Sequence, residues 1–322
     1  MTRTPALVLD VGGTTLRSAL FDPAHAGLRD ARREPSHNHL DGATPEQAQA
    51  RAVAQLLQLL QTRVAEQAAR GQPVQAVGLA FAGPVDAAGR VLAAPTLWGA
   101  GGAPLALGEQ LSQALGLPVR VLNDVSAAVW RYARPDSEPF CLVTVSSGVG
   151  NKVYWGSQIL QHRLGDGGEI GHLQVDPSPD ALRCDCGGRG HLGALASGRG
   201  ALALAQRGPG GASAFPDAPA LVRAAQAGSP AALAALQPGW DAMAQVLATL
   251  HAGIGVRRFL FMGGFAQALG PLYLQGLGDA LRRRALFGVP PQDLPGLLAL
   301  AEPDDDHGLI GMGQYLCREG LA

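Results

Sequence analysis

The stretch "ALVLDVGGTTLRSALFD", residues 6–22, decides the fold. A short apolar run, Ala6–Val11, leads into the turn at Gly12 and Gly13, and a second strand is predicted over residues 16–21. The glycines therefore join one strand to another strand. A Walker loop or a Rossmann fingerprint would open a helix at this point, so both motifs are disfavoured.

The same arrangement recurs in "FCLVTVSSGVGNKVYWGSQIL", residues 140–160, where a strand, a Ser/Gly turn and a second strand follow one another. Two such units predict a duplicated fold. Strands and helices alternate along the rest of the chain, which indicates two α/β domains. Ligands of such folds bind at the carboxyl ends of strands, in the crevice between domains.

The composition excludes several classes of protein. Hydrophobic residues make up 47% and charged residues 16% of the 322 residues, which is typical of a globular chain. The net charge of −1 argues against a nucleic-acid or anionic-membrane partner. No apolar run has the length of a transmembrane helix, and no signal segment is recognised, so we expect a cytoplasmic protein. In that compartment, paired cysteines favour metal or redox chemistry over a disulfide.

Three glycine turns at strand ends are candidate nucleotide sites, because bare backbone N–H groups can approach an anion closely. Each turn by itself is also compatible with a plain hairpin. Asp10, just before the first turn, is a candidate Mg²⁺ ligand, directly or through water. The candidate residues are Gly12, Gly13, Thr14 and Thr15 with Arg17 nearby, then Ser147 and Gly148, and finally Gly263 and Gly264.

Two polar pairs are candidates for acceptor chemistry. Asn123 and Asp124 follow an apolar strand, where a carboxylate can accept a proton from an attacking hydroxyl. The same pair also suits a helix cap, and composition alone favours the cap. Glu169 and His172 lie in a Gly-rich segment, where Glu169 can accept hydrogen bonds from hydroxyls and His172 can bind a ligand or a metal.

The segment "RCDCGGRGHLG", residues 183–193, predicts a zinc site. Zinc takes four Cys or His donors in a tetrahedron, and Cys184, Cys186 and His191 supply three, with His172 as a fourth. A redox pair or coincidence is the alternative, although redox pairs usually have two residues between the cysteines. A disulfide between Cys184 and Cys186 would close a strained ring. The remaining thiols, Cys141 and Cys317, are expected to be buried or incidental.

Eight motifs, in order and over nearly the whole chain, resemble the ROK family (repressors, open reading frames and sugar kinases) of the actin-like ATPase superfamily. They are "DVGGTTLRSALFD" (10–22), "GLAFAGPVD" (78–86), "VLNDVSAA" (121–128), "TVSSGVGNKVYWG" (144–156), "GGEIGHLQVD" (167–176), "CDCGGRGHLGALASG" (184–198), "FMGGF" (261–265) and "GLIGMG" (308–313).

This resemblance implies a two-domain actin-like fold, of the duplicated ribonuclease H-like type, with an interdomain cleft. We expect a small N-terminal α/β domain over residues 1–122, on which a C-terminal helix over 308–322 packs. A larger α/β domain with the zinc loop is expected over 123–307. Members of the family are commonly dimers, so a homodimer is also expected.

The resemblance further implies an ATP- and Mg²⁺-dependent kinase that phosphorylates a hexose or N-acetylhexosamine, usually at O6. Asp124 would be the general base. The sugar hydroxyls would be held by Asn123, Glu169 and His172, with Gly83 at the pocket wall. ATP would be cradled by Gly12, Gly13, Thr14, Ser147, Gly148 and Gly264. A structural zinc would be bound by His172, Cys184, Cys186 and His191.

Several positions depart from the family pattern. His191 replaces a cysteine, which is compatible with zinc, whereas Gly193 replaces a glutamate that contacts the sugar. Asn151 and Lys152 replace glycines after the second phosphate turn. Thr96 replaces an asparagine common among glucokinases, and Phe265 replaces a third glycine in the adenosine turn. We therefore expect an acceptor pocket that differs from the glucose pocket.

Two alternatives to a kinase remain at this stage. Family repressors carry an N-terminal helix-turn-helix domain, and a first strand beginning at Ala6 is expected to leave no room for one. A non-catalytic sugar-binding or regulatory member is the other alternative. The retained Asp10, Asn123 and Asp124 favour the kinase, and a sugar that binds without turnover would favour the alternative.

Overall fold

The computed structural model describes residues 4–162, 165, 167–208 and 214–322. The sequence "RGPGGASAFPDAPA", residues 207–220, predicts a loop, and this segment lies partly outside the described residues. The strands are β1 (Ala6–Val11), β2 (Thr15–Asp22), β3 (Gly27–Pro35), β4 (Val77–Phe81), β5 (Val119–Asn123), β6 (Phe140–Val145), β7 (Val149–Trp155), β8 (Gln158–Ile159), β9 (Arg258–Met262) and β10 (Leu298–Leu300). The helices are α1 (Pro45–Ala69), α2 (Leu107–Leu115), α3 (Asp124–Tyr132), α4 (Leu192–Ala196), α5 (Gly198–Arg207), α6 (Ala218–Gln226), α7 (Pro230–Ile254), α8 (Gly264–Leu269), α9 (Pro271–Arg284) and α10 (His307–Arg318).

The described residues fall into two compact units. The first comprises those of Met1–Pro135, Gln161–Gly167 and Asp304–Ala322, and the second those of Asp136–Leu160 and Gly168–Pro303. The first unit continues past the boundary expected after residue 122, because α3 packs against α10. The C-terminal helix therefore belongs to the first unit, although the chain reaches it only after the second.

Each unit is built on one five-stranded sheet, and the two sheets have matching topology. The strand orders are β3-β2-β1-β4-β5 and β10-β9-β6-β7-β8. In each sheet an antiparallel hairpin, β1–β2 or β6–β7, is extended by parallel strands on the side of its first strand. The duplicated α/β architecture predicted from the two strand–turn–strand stretches is confirmed.

The first sheet is covered on both faces, and strand β1 shows why its sequence is a continuous apolar run. Leu7, Leu9 and Val11 pack into the core with residues of α1 and α2. Ala6 and Val8 point to the other face, where α10 packs. Successive side chains of a strand alternate between faces, so a strand buried on both faces needs apolar residues at every position.

The sequence pattern predicts no strand over Gly27–Pro35, yet these residues form the edge strand β3. Most of its side chains are exposed or half-buried, and Arg32 bonds to the Glu66 carboxylate of α1 with distances of 3.1 and 2.6 Å. Charged side chains on an edge strand are a common protection against pairing with other chains. They also remove the apolar alternation by which strands are recognised.

Helix α10 packs closely because glycines interrupt the apolar side chains of its inward face. A Cβ atom on Gly311 would lie 1.9 Å from the Ala127 carbonyl oxygen of α3, and a Cβ on Gly313 would lie 2.0 Å from the Phe21 ring of β2. Only glycine allows the backbones to approach this closely. Among the helices of the described residues, none has the length and hydropathy needed to cross a bilayer.

We expect Gly311→Ala to destabilise the first unit by about 3 kcal/mol, because the clash is with backbone that cannot rotate away. Gly278→Ala in α9 is the matched control, since nothing lies within 4 Å of the position of its Cβ. Alanine there should stabilise by about 0.5–1 kcal/mol through its higher helix propensity. Urea unfolding followed by circular dichroism measures both, and equal effects of the two changes would contradict this packing.

Candidate active site

The first glycine turn is exposed to solvent on one side, and hydrogen bonds within the protein hold its other side. The Gly12 N–H donates to the Thr15 carbonyl at 3.1 Å, and the Ser36 hydroxyl donates to the Gly12 carbonyl at 2.6 Å. Thr14 and Thr15 are exposed. Since the Gly12 amide closes the turn itself, the donors that this turn can offer an anion come from the residues after Gly12.

Gly13 must be glycine because of Thr96. A Cβ on Gly13 would lie 2.6 Å from the Thr96 Cβ. The Asn38 side-chain amide donates to the Gly13 carbonyl at 2.9 Å and holds the turn from another side. The threonine that departs from the family pattern is therefore a packing partner of the phosphate turn.

Asp10 and Arg17 lie opposite each other on β1 and β2 and form an ion pair. The second guanidinium nitrogen of Arg17 is 3.6 Å from the Asp306 carboxylate, just before α10. Burial raises the pKa of Asp10, and the charge and hydrogen bond of Arg17 oppose that rise. A carboxylate at the end of a strand beside a glycine turn has the donor chemistry that Mg²⁺ requires.

The side chain of Asn123 connects the ends of two neighbouring strands. Its oxygen accepts the Val125 and Ser126 N–H groups at 3.1 Å each, which caps α3. Its nitrogen donates to the Gly83 carbonyl at 3.1 Å and to the Asp124 carboxylate at 2.8 Å. Asn123 is therefore the residue that caps α3, and Asp124 is the first residue of the helix.

Gly83 has a positive φ of 159°, and a Cβ there would lie 2.3 Å from the Ala93 carbonyl oxygen. The Asp124 carboxylate also accepts the Val125 N–H at 2.8 Å. Hydrogen bonds from N–H donors and the helix N-terminus favour the ionised carboxylate. The result is a carboxylate held in a fixed orientation at the end of β5.

A second set of contacts fastens α3 to the start of α10. The Arg131 guanidinium donates to both oxygens of Asp304, at 2.5 and 2.8 Å, and the Tyr132 hydroxyl lies 2.8 Å from His307 Nδ1. The Arg131 hydrogen bonds lower the pKa of Asp304 to about 2. Burial lowers the pKa of His307, which favours the neutral imidazole beside the Tyr132 hydroxyl.

In the second unit, the Ser/Gly turn between β6 and β7 is tied to α5. The Gly198 N–H donates to the Ser146 carbonyl at 2.8 Å, and the Arg199 guanidinium donates to the Ser147 carbonyl at 2.7 Å. Arg199 also pairs with Asp185 at 2.6 Å. No atom lies within 4 Å of where a Gly148 Cβ would be, so a ligand can approach this backbone.

The third glycine turn begins α8. Gly263 has a φ of 97°, and its Cβ would lie 2.6 Å from the Val145 carbonyl oxygen, so it is required where β9 passes the end of β6. Gly264 has open space beside it instead. The first glycine has a packing role, and the second leaves a bare backbone surface against which a flat ring can lie.

Glu169 precedes the 3₁₀ turn Ile170–His172, and its side chain is 61% exposed. The ammonium nitrogen of Lys152 lies 3.7 Å from one of its carboxylate oxygens. The sequence identifies Lys152 as a departure from a glycine of the family pattern. It does not predict the pairing of Lys152 with Glu169 or the contacts of Arg199 and Arg131. The signal for Lys152 is its rarity, because it is the only lysine in the chain.

The four predicted zinc ligands lie together, with ligand atoms all within 4.8 Å of one another. Cys184 Sγ is 3.7 Å from His172 Nδ1, and Cys186 Sγ is 3.2 Å from His191 Nδ1. A tetrahedral site with the usual Zn–S and Zn–N bond lengths requires S···N separations of about 3.5 Å. Gly188 permits this folding, because its Cβ would lie 2.3 Å from the His191 ring.

A cavity of about 340 Å³ adjoins this cluster within the second unit. Its lining includes Gly148, His172, Cys184, Gly193 and Arg199. A Cβ on Gly193 would lie 3.1 Å from the Gly171 carbonyl oxygen, tighter than ordinary contact. The first turn of α4 therefore leaves little room for a side chain at position 193.

Comparison with known proteins agrees with this geometry. The ROK family model matches residues 6–318. A C(7)-cyclitol 7-kinase of Streptomyces hygroscopicus subsp. jinggangensis is 46% identical over 327 residues, which cover 96% of this chain and 92% of that protein. A 2-epi-5-epi-valiolone 7-kinase of an Actinoplanes species is 31% identical over 341 residues, with coverage of 96% and 92%. The crystal structure of a ROK family glucokinase from Streptomyces griseus, in complex with glucose and AMPPNP, superposes with a TM-score of 0.72 at 25% identity, covering 98% of this chain and 100% of that one.

These matches define the class of the protein as an ATP-dependent carbohydrate kinase, a phosphotransferase with an alcohol acceptor. The chain belongs to the ROK family. The family, the actin-like fold class and the enzyme class predicted from the sequence are confirmed.

The ion pair of Asp304 predicts how the stability of the first unit depends on pH. Because the folded-state pKa lies below the ordinary value, the pair stabilises the fold above pH ~4 and loses its effect as the pH falls from about 4 to about 2. Asp304→Asn should therefore unfold at a lower urea concentration than wild type at pH 6, with that difference roughly halved at pH 3. Exposed Asp136→Asn is the control, and a difference that does not change with pH would contradict this assignment.

Proposed function

We propose that this kinase transfers the γ-phosphoryl group of ATP to the exocyclic primary hydroxyl of a C7 cyclitol, with Asp124 as general base. The Asp124 carboxylate accepts the hydroxyl proton while the acceptor oxygen attacks phosphorus. The bond from phosphorus to the oxygen of the departing ADP breaks in the same displacement. The protein forms no covalent bond with the substrates in this step. It positions the two reacting groups and stabilises the charge of the transition state.

The observation that carries the proposal is the geometry of Asp124. The Asn123 amide and the Val125 N–H in the first turn of α3 hold its carboxylate in place at the end of β5. Such a base needs a fixed orientation more than an unusual affinity for protons. The same Asn123 amide that orients Asp124 also holds the Gly83 carbonyl, so the expected pocket wall and the base are positioned together.

The acceptor class rests on the 46% identical relative and on position 193. In a C7 cyclitol the seventh carbon lies outside the six-membered carbocycle, as C6 lies outside a pyranose ring. The base and the γ-phosphate of a kinase that phosphorylates O6 of a sugar would therefore be placed in the same way to phosphorylate the exocyclic hydroxyl of the cyclitol. At position 193 the family has a glutamate that contacts the sugar, and this chain has glycine. The change favours an acceptor whose structure differs from that of glucose at positions other than the reacting hydroxyl.

A hexose or N-acetylhexosamine phosphorylated at O6 is the second candidate. The likeness to a glucokinase that binds glucose favours it, as does the presence of Asn123, Glu169 and His172 at the positions that resemble sugar ligands. In both cases we propose that Glu169 accepts hydrogen bonds from acceptor hydroxyls, and that Asn123 contacts them by giving up one of its present bonds to Gly83 or Asp124.

For the nucleotide, we propose that Gly13, Thr14, Thr15, Ser147 and Gly148 bind phosphate oxygens. Gly263 and Gly264 would hold the adenosine. Asp10 fits Mg²⁺ through water, because its carboxylate is beside the first turn and Arg17 already orients it. Bound Mg²⁺ neutralises charge that develops on the phosphate oxygens.

Asp124→Asn should lower kcat by about 10³-fold, because the amide cannot accept the proton, while both KM values change little. Release of ADP is measured with C7 cyclitols, hexoses and N-acetylhexosamines as acceptors. Circular dichroism establishes that the variant folds, and Asp136→Asn is the matched control. A variant with wild-type kcat would exclude Asp124 as the base. A wild type that binds an acceptor without turnover would instead support the non-catalytic alternative.

We also propose that His172, Cys184, Cys186 and His191 bind one structural Zn²⁺. The support is the closeness of four suitable donors and the S···N separations given above. Bound Zn²⁺ would fix the segment that begins at Glu169 and ends at Gly193. In structural sites of this type, metal binding contributes directly to folding.

Elemental analysis of protein purified without added metal should find one zinc per chain. Cys184→Ala should lose the zinc and unfold at a lower temperature, whereas Cys317→Ala, outside the cluster, should retain it. A stable wild type without metal would exclude the site. The homodimer and the cytoplasmic location expected from the sequence stay predictions.

A further inference from the structure

Lys152 is an unusual residue in this chain. It is the only lysine among 25 basic Lys and Arg residues, so the other cations are arginines. It lies on β7, opposite Leu142 of β6, and its side chain is only 5% exposed. A buried ammonium group is costly unless an opposite charge compensates it. The Glu169 carboxylate, 3.7 Å away, supplies that charge.

The stem of Lys152 supports the segment that carries Glu169. Gly168 has a φ of 76°, and a Cβ there would lie 2.8 Å from Lys152 Cδ and 3.0 Å from its Nζ. The neighbouring Asn151 donates its N–H to the Gly168 carbonyl at 3.4 Å, and its side-chain oxygen accepts the Ile170 N–H at 3.2 Å. Two consecutive residues of β7 therefore fix the backbone on both sides of Glu169.

We propose that Lys152 is a positioning residue that presents the Glu169 carboxylate to the hydroxyls of the acceptor. The inference rests on the role of Glu169 in the proposed function. An exposed glutamate loses considerable rotamer freedom when it binds, and a carboxylate already held by Lys152 loses less. Since Gly193 supplies no second carboxylate, Glu169 is the one carboxylate among the proposed acceptor ligands of this unit.

The choice of lysine over arginine agrees with this role. A guanidinium fork binds both oxygens of a carboxylate in a fixed plane, whereas an ammonium is a compact point charge. At 3.7 Å, the ammonium orients Glu169 while the carboxylate keeps lone pairs for acceptor hydroxyls.

A double-mutant cycle tests the inference. Lys152→Met keeps the length of the stem and removes the charge, and it should raise KM for the acceptor about tenfold. We expect kcat to change less than about twofold and KM for ATP to stay constant. Glu169→Gln should also raise the acceptor KM, and the double variant should resemble Glu169→Gln alone. Exposed Arg223→Met, which removes a charge elsewhere in the second unit, should have no effect.

The single lysine also allows a test that does not need a variant at position 152. Protein labelled with ¹³Cε-lysine should give one lysine side-chain signal. That signal should shift when the acceptor saturates the enzyme without ATP, and the shift should be lost in Glu169→Gln.

An unchanged acceptor KM in Lys152→Met, additive effects in the cycle, or a signal that does not move would each overturn the inference. A wild type that phosphorylates no acceptor would instead defeat the proposed function.

Discussion

Close approach of backbone at glycine is the constraint on which the rest of the structure depends. A side chain on Gly13 would collide with Thr96, and one on Gly83 would collide with the Ala93 carbonyl. The same holds for Gly263 against Val145. These glycines lie at the ends of buried strands, where the sheets turn over to the surface. The close contacts hold the turns rigidly, and rigid turns can offer backbone donors to a ligand without reorganising.

The hairpins and the family could be predicted because they depend on local pattern. Strand β1 is apolar at nearly every position, and its glycine turn leads directly into β2, so the sequence alone defined both elements. Strand β3 could not be recognised, since it is charged and its place is set by β2 and by the Arg32–Glu66 pair. Strand β3 depends on tertiary contacts, and these leave no periodic pattern of apolar residues in the sequence.

In the candidate site, too, some features could be predicted from the sequence and others could not. Asp124 and the cysteine pair could be named as candidates from the sequence, Asp124 through the family resemblance and the cysteines because closely spaced thiols beside histidines have distinctive chemistry. The residues that orient them could not. Arg199 joins the Ser147 turn to Asp185, and Lys152 is close to Glu169, but both partnerships link segments distant along the chain. The Gly12 amide is a further case, because only the structure shows that it closes its own turn.

The packing of α10 has a consequence for how the protein is made. The first unit includes Met1–Pro135 and also Asp304–Ala322, so it is discontinuous in the chain. During synthesis, one face of β1, with Ala6 and Val8, stays uncovered until α10 leaves the ribosome. The second unit needs no residue of α10 and can fold before α10 is made. Of the two units, the one whose synthesis begins first is therefore completed last, and its core is exposed to chaperones and proteases while the second unit is translated.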